Sequence, residues 1–381
     1  PKNNTINAII KPIVTPPTIA DQRWQNLSID SNDSEKDYCE KLRKKIDQLS
    51  ACQVDVIIIY IPKEYEYLTV YSDIPGSFDL HDYIKAYAAQ QQIATQFIRE
   101  KTIESSLLCQ ILWALSLAIY VKSNRIPWCI SSEQNDTAFA GIGYSVRQSV
   151  NGGNIVIGCS HVYSSDGQGL KYKLSKISDV TFDKKNNPYL SETQAYKLGL
   201  SIKELFYKSF SEMPKRVVIH KRTPFRREEI KGLTESLSSA GIKDIELIEI
   251  SYEEDIKCFA YTKNLTEIDG FPVKRGLCFP VNKNTMLLFT HGIAPSVQNP
   301  NFKYIQGGKS IPLPLKIVSH YGCGSMQQIA KEILGLTKMN WNSFGLYTKL
   351  PCTIDSSNEI ARIGWLLSKF EGTLYEYRFF M

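Results

Sequence analysis

Four polar side chains in the first third of the sequence are spaced for work on an anion. His81 and Lys85 stand four residues apart in "HDYIKAYAAQ", so a helix puts them on one face near its first turn. Gln96 follows in "IATQFIRE", and Lys122 closes the apolar run "LLCQILWALSLAIYVK". A helix N-terminus offers unpaired N–H groups and partial positive charge; an imidazole, an amide and two ammonium groups added to it make a pocket for a terminal phosphate. Singly, each has a plainer reading: a lone His81 caps a helix or faces water, and Lys85 lies on a solvated face. Their conjunction points to a ligand, whereas Arg99 and Lys101 flank the same elements and need none.

Holding these residues together requires an α/β unit. Residues 1–34, rich in Pro, Asn, Thr and Ser, read as a lead-in arm, and "SEKDYCEKLRKKIDQL" as a charged amphipathic helix. The β-branched run "VDVIIIYIP" predicts a strand covered on both faces of a parallel sheet. The turn-rich "YSDIPGSFD" then leads to a helix from about Leu80 to Gln91, the short strand "IATQFIRE", and a helix around 105–121, with the unit ending near "RIPWCI". From about residue 137, "AFAGIGYSV", "NIVIGCSHVYS" and "LKYKLSK" are successive strand candidates. After them come a helix capped near Ser191, the strand "RVVIH", a helix ending at Gly241 and the strand "DIELIEI". Three strands followed by alternating helix and strand is the order of an RNase H-like domain. Strands around "TMLLFTHG" and "LKIVSH", a helix "SMQQIAKEIL" and a helix "NEIARIGWLLSKF" complete the chain, without an internal repeat.

Composition bounds the function. The 381 residues are 43% hydrophobic and 22% charged, enough for two folded domains rather than a disordered chain. No run of eighteen apolar residues occurs, so no membrane span is expected and a soluble, cytoplasmic protein is the reading. Pro1 stands where an initiating Met would, so the natural start can lie upstream. Nine cysteines, at 39, 52, 109, 129, 159, 258, 278, 323 and 352, form no CxxC pair, which fits reduced thiols and no zinc site. His161, His220, His291 and His320 lack partners at ligand spacing and read as structural, and Trp128 and Trp341 as core anchors. A net charge of +6 permits a polyanionic partner without demanding one. No GxGxxG follows a strand, since "GIGYSV" lacks the third Gly.

The spacing of His81, Lys85, Gln96 and Lys122 resembles the MID domain of Argonaute proteins, in which a Tyr or His, a Lys, a Gln and a second Lys hold the guide's 5′ phosphate. The likeness continues through "RIPWCI", "FAGIGYS", "HVYSSDGQG", "RVVIHKR", "LGLTKMNWNS" and "KLPCTIDSSNEIARIG", over roughly residues 35 to 381. It implies a Rossmann-like MID domain over 35–130 and an RNase H-like PIWI domain over 131–381. Active PIWI domains carry a metal-binding acid in a Gly-Ile-Asp pattern, where this chain has Gly143. A second acid normally follows the "VVIH" strand, where the sequence reads "HKRTPF" with Lys221, Arg222 and Thr223. The last ligand position falls near Asn358 or Glu359. Two-metal cleavage needs several acidic ligands; a lone Glu359 cannot replace them, and a Lys-Arg pair would repel Mg²⁺. No strand cleavage by this chain is expected.

A MID–PIWI chain without room for N and PAZ domains resembles the short prokaryotic Argonautes. That resemblance implies a guide RNA, complementary target DNA, and a separate APAZ-containing effector protein, with a NAD-consuming TIR domain in preference to a sirtuin-like one, acting in prokaryotic defence. It also implies Mg²⁺ at the guide phosphate with help from the C-terminal carboxylate of Met381, and admits a higher oligomer when target is bound. Lys274, Arg275, Lys303 and Lys309 are candidate backbone contacts. Two alternatives remain: a guide-directed nuclease with an atypical metal site, and a generic single-strand binder, which would not need a phosphate pocket.

Overall fold

The computed structural model describes residues 25–30, 32–69, 79–130, 137–148, 154–163, 169–177, 179–259, 261, 264, 267, 273–294, 305–306, 311–342, 347–367 and 373–381. Most of the lead-in arm, most of the "YSDIPGSFD" turn, and Lys303 and Lys309 lie outside the described residues, as does the side chain of His161. The chain divides into two compact units, one of residues 1–127 with 363–381 and the other of residues 128–362.

In the first unit, α1 (Glu35–Ser50) starts at Ser34, whose side chain and backbone exchange hydrogen bonds with Asp37 in a capping box. β1 (Val56–Ile61) pairs in parallel with β2 (Ala94–Arg99), setting Ile58 opposite Gln96. α2 (Leu80–Gln90) leads into β2, and α3 (Leu108–Lys122) follows it. Leu42 and Ile46 of α1, Ile57, Ile59 and Ile61 of β1, and Leu80, Ile84 and Ala88 of α2 form one buried cluster. The other face of β1 is open: Ile58 is 47% and Tyr60 50% exposed. The β-branched run therefore does not mark a strand covered on both faces. Its period of two is masked because the open-face residues are also apolar.

Residues 363–381 belong to this unit as well. β15 (Leu374–Glu376) precedes a buried end of Phe379, Phe380 and Met381. The tail is held by polar contacts as well: Lys85 Nζ donates to Phe380 O at 3.3 Å, and Arg378 donates to Lys122 O at 3.0 Å.

In the second unit, β3 (Thr137–Gln148), β4 (Asn154–Tyr163) and β5 (Gly169–Ile177) form an antiparallel meander. The ribbon of β6 (Val180–Phe182) and β7 (Pro188–Leu190) leads to α4 (Glu192–Phe210), which Ser191 caps as its position predicts. β8 (Arg216–Lys221) then runs parallel to β3, α5 (Arg227–Ser238) crosses over, and β9 (Asp244–Tyr252) runs parallel to β8. The chain leaves α5 through Gly241 at φ +83°, a conformation suited to glycine. The resulting order β5-β4-β3-β8-β9 is the RNase H-like core. It is extended on the β9 side by β14 (Leu315–Tyr321), β11 (Thr285–Leu288) and β10 (Cys278–Asn282). β10 was not legible in sequence because all five residues are exposed and no alternation results.

α6 (Met326–Leu336) and α7 (Cys352–Ile363) complete this unit. Trp341 is buried as a core anchor. Trp128 is not: it is 36% exposed and tied down by its indole N–H, which donates to Lys338 O at 2.8 Å.

Candidate nucleic-acid interface

α2, β2 and α3 bring Lys85, Gln96 and Lys122 together with the chain's tail. Lys85 and Lys122 are both buried, 4% and 2% exposed, which is costly for ammonium groups. Lys122 Nζ donates to Thr95 O at 2.8 Å and to Gln96 Oε1 at 2.6 Å, while Gln96 Nε2 donates to Phe97 O at 2.9 Å. Neutral oxygens are thus the only partners Lys122 makes among the described residues. Burial drives its pKa well below the usual lysine value, and the charge of Lys85 pushes it further. An anion arriving beside Lys122 would favour its charged form. Arg378, which the sequence reading passed over, joins this group through Lys122 O; as the cation of "YEYRFFM" it was findable.

His81 is placed differently. Its ring lies 5.3 Å from that of Phe97, and Nδ1 is 3.4 Å from Asp82 Oδ1. With Ile61, Leu80, Phe97, Arg99 and Thr102 it lines a cavity of about 230 Å³. Burial lowers the imidazole's pKa, Asp82 opposes this and Lys85 adds to it, so His81 shares the field of Lys85. The expected open helix N-terminus is absent: the Asp79 carboxylate caps α2, accepting from His81 N at 2.9 Å and Asp82 N at 3.4 Å. Aspartate before "LHD" is an N-cap signal the sequence carried. Asp79, His81 and Asp82 place one ligand atom each within 4.8 Å of one another, so this corner can chelate a metal ion. Lys85, Gln96 and Lys122 are not among the residues that line this cavity; they meet beside the chain's tail, apart from the His81 corner.

The PIWI positions lie on β3, β8 and α7. An added Cβ at Gly143 would sit 2.5 Å from Ser357 O and 2.7 Å from Asn358 N, so α7 packs directly on the strand backbone. Gly141, two residues earlier on the same strand, meets Thr353 O in the same way. Lys221 does not stand ready to repel Mg²⁺, as the sequence suggested. It is 1% exposed and turns inward, donating to Glu229 Oε1 and Oε2 at 2.6 and 2.7 Å, with Tyr189 under it at 4.7 Å. Thr223 Oγ1 is buried with no hydrogen-bond partner among the described residues. Glu359 is not alone: Asp355 lies one turn earlier on α7, with a pKa raised to about 7 by burial and then by Glu359, against the pull of Arg222.

Two of the remaining histidines make contacts within the fold, while the buried His291 Nε2 has no hydrogen-bond partner among the described residues. His220 is fully buried, with Nδ1 2.9 Å from Thr353 Oγ1, and His320 Nε2 lies 2.8 Å from Glu249. Arg275 is not a free backbone contact: it donates to Leu334 O at 2.9 Å and Thr337 Oγ1 at 2.6 Å. Lys274 is exposed.

No family model matches the chain. It is 24% identical over 326 residues to the protein argonaute of Aquifex aeolicus (strain VF5), covering 85% of this chain and 40% of that protein. Its fold is similar to Clostridium butyricum Argonaute bound to a guide DNA and a 19-mer target DNA, with a TM-score of 0.68 and 21% identity over 90% of this chain and 42% of that one. The Aquifex aeolicus Argonaute with externally bound siRNA gives a TM-score of 0.62 at 19% identity, over 93% and 45%. The chain spans under half the length of the relatives it matches. The buried lysine cluster and the RNase H-like sheet thus sit in a chain whose fold matches the MID–PIWI fold of Argonaute proteins and whose sequence is similar to one of them.

Proposed function

We propose that this chain holds the 5′ phosphate of a guide RNA, recognises complementary DNA without cutting it, and by doing so activates an associated effector. The observation that carries this reading is the pair Lys85 and Lys122: two buried, mutually repelling ammonium groups, with only neutral partners described for Lys122. Gln96 orients Lys122, and Arg378 fixes the tail against α3. The Lys85 contact to Phe380 O supports the further reading that the Met381 carboxylate would help to hold a Mg²⁺ ion, which would supply charge neutralisation for the guide phosphate. Asp79, His81 and Asp82 offer a second place for that ion. A divalent ion supplies charge neutralisation there; the chain's own residues supply position.

Absence of cleavage is proposed on the covering of Gly143 by α7, which leaves no volume for a metal-binding side chain. The effector is proposed, from the resemblance to short Argonautes, as an APAZ-containing protein with a TIR or sirtuin-like NAD-consuming domain in prokaryotic defence, with oligomerisation on target binding. No helix among the described residues is long and apolar enough to cross a membrane, which is compatible with a cytoplasmic site of action. The acid pair Asp355 and Glu359 favours one rival, a nuclease with an atypical metal site.

The test is guide affinity with 5′-phosphate against 5′-hydroxyl ends, for RNA and DNA, followed by incubation of the loaded protein with labelled complementary DNA and Mg²⁺ or Mn²⁺. Tighter binding of the phosphorylated guide and an intact target are expected. Equal affinities would remove the pocket, a cut product would select the nuclease, and a pull-down without an APAZ protein would remove the effector.

A further inference from the structure

The end of β8 carries a second group of cations that the guide pocket does not use. Arg222 is exposed, and its guanidinium carbon lies 4.8 Å from the centroid of the Tyr252 ring. Lys349 reaches the same ring, with Nζ 3.9 Å from the centroid. Its backbone is pinned from below, because the buried Thr290 hydroxyl donates to Lys349 O at 2.7 Å. Neither cation makes an ion pair among the described residues. Burial lowers the Lys349 pKa, Glu254 opposes this, and the charge of Arg222 lowers it further, so the two cations feel one another.

An aromatic ring attracts a cation through its quadrupole but brings no formal negative charge. Tyr252 therefore holds both cations in place without pairing either one to a carboxylate. The acids nearby, Asp355 beside Arg222 and Glu254 beside Lys349, act on the two cations through the field without closing an ion pair to either. Thr223, adjacent to Arg222, keeps a buried hydroxyl without a partner among the described residues. Two cations held on one ring, with no ion pair among the described residues, suit an anion and disfavour a metal ion.

We propose that Arg222 and Lys349, oriented by Tyr252, form a phosphodiester site that holds one phosphate of the guide-paired target strand, on the α7 side of the closed Gly143 position. Side-chain cations then do there what metal ions would do in a cleaving relative, and the strand is held without being activated. The identity of the strand rests on the proposed function; the phosphate site rests on the geometry of the two cations.

The test uses guide-loaded full chain, wild type and Arg222→Gln/Lys349→Gln, with labelled target DNA carrying single neutral methylphosphonate linkages at successive positions. In the wild type one linkage position should weaken target binding about tenfold, the loss of one charge-assisted phosphate contact. In the double variant that position should have no effect, all targets should bind about tenfold more weakly, and the slope of log affinity against log salt should flatten by about 1. Arg222→Gln alone, at an exposed position, gives the same comparison should the double variant melt early. An unchanged target affinity and salt slope, or identical linkage profiles in the two proteins, would overturn the site. A wild type that ignores the guide's 5′ phosphate and binds target without guide would overturn the proposed function instead. The site would then be judged on single-stranded DNA, where equal affinities of the two proteins reject it and a loss in the variant supports it.

Discussion

Gly143 of β3 lies directly against the backbone of Ser357 in α7, so close that a β-carbon would come within 2.5 Å of the Ser357 carbonyl oxygen. The missing acid is therefore more than a substitution, since α7 occupies the space that an aspartate would need. Gly143→Asp should restore no guide-dependent cleavage and should destabilise the fold, because overpacking costs about 1–3 kcal/mol and an uncompensated carboxylate adds to it. A fall in Tm of at least about 4 °C is expected by thermal melt. An unchanged Tm would mean that α7 yields freely.

Lys85 and Lys122 are expected to trade stability for binding. Lys85→Ala should lose charge-assisted contacts worth about 1.5–3 kcal/mol, or one to two decades in affinity for a 5′-phosphorylated guide. Fluorescence anisotropy checks this, and an unchanged Kd counts against the pocket.

Protons should move when the guide binds. Burial and Lys85 lower the Lys122 pKa in the free protein, and a phosphate raises it again, so binding should take up protons at pH values between the two. Calorimetry in two buffers of different ionisation enthalpy should give different apparent binding enthalpies. The sign for folding follows: a depressed lysine contributes stability above its unfolded value near 10.5 that is lost as pH falls through its folded value. Lys122→Met should thus melt higher than the wild type without guide at pH 7, with the gap closing as pH rises.

Asp355 should dominate a different pH window. Its pKa is raised from 3.8 to about 7, chiefly by burial, so its contribution is fully present below pH 3.8 and is lost as pH rises through about 7. Asp355→Asn should leave Tm near wild type at pH 4.5 and raise it at pH 8, by about 2–4 °C for each kcal/mol relieved. Equal Tm differences at the two pH values would show that the carboxyl titrates normally.

The buried pair Lys221 and Glu229 should behave as a unit. Glu229 also accepts from Arg226 N at 3.0 Å and Leu190 N at 3.2 Å, so its removal strands a buried ammonium and two backbone donors. Glu229→Ala should cost about 3–5 kcal/mol, whereas Lys221→Met/Glu229→Leu should recover part of that loss. Denaturant titration of both variants checks the expectation; a double variant no better than the single would show that the backbone bonds dominate.

The sequence by itself determined the order of elements and set Lys85, Gln96 and Lys122 on neighbouring ones. Three successive strands, the Ser191 cap and the Gly241 stop are local signals, governed by turn residues and backbone sterics within a few residues, and the structure has each where the sequence put it. Lys85, Gln96 and Lys122 were legible for the same reason, since two helices and the strand between them fix their spacing. What only the tertiary structure decided is where each charge points. The inward turn of Lys221 onto Glu229, the Asp79 carboxylate closing the N-terminus of α2, the return of Phe380 to Lys85, and the covering of Gly143 by α7 all join atoms through space. Three of these link residues at least eight positions apart or on different elements, and even the local Asp79 cap depends on which oxygen the folded turn presents. A charged or absent side chain has no address in sequence until packing sets what it faces, and desolvation then fixes whether it can serve as partner, ligand or obstacle.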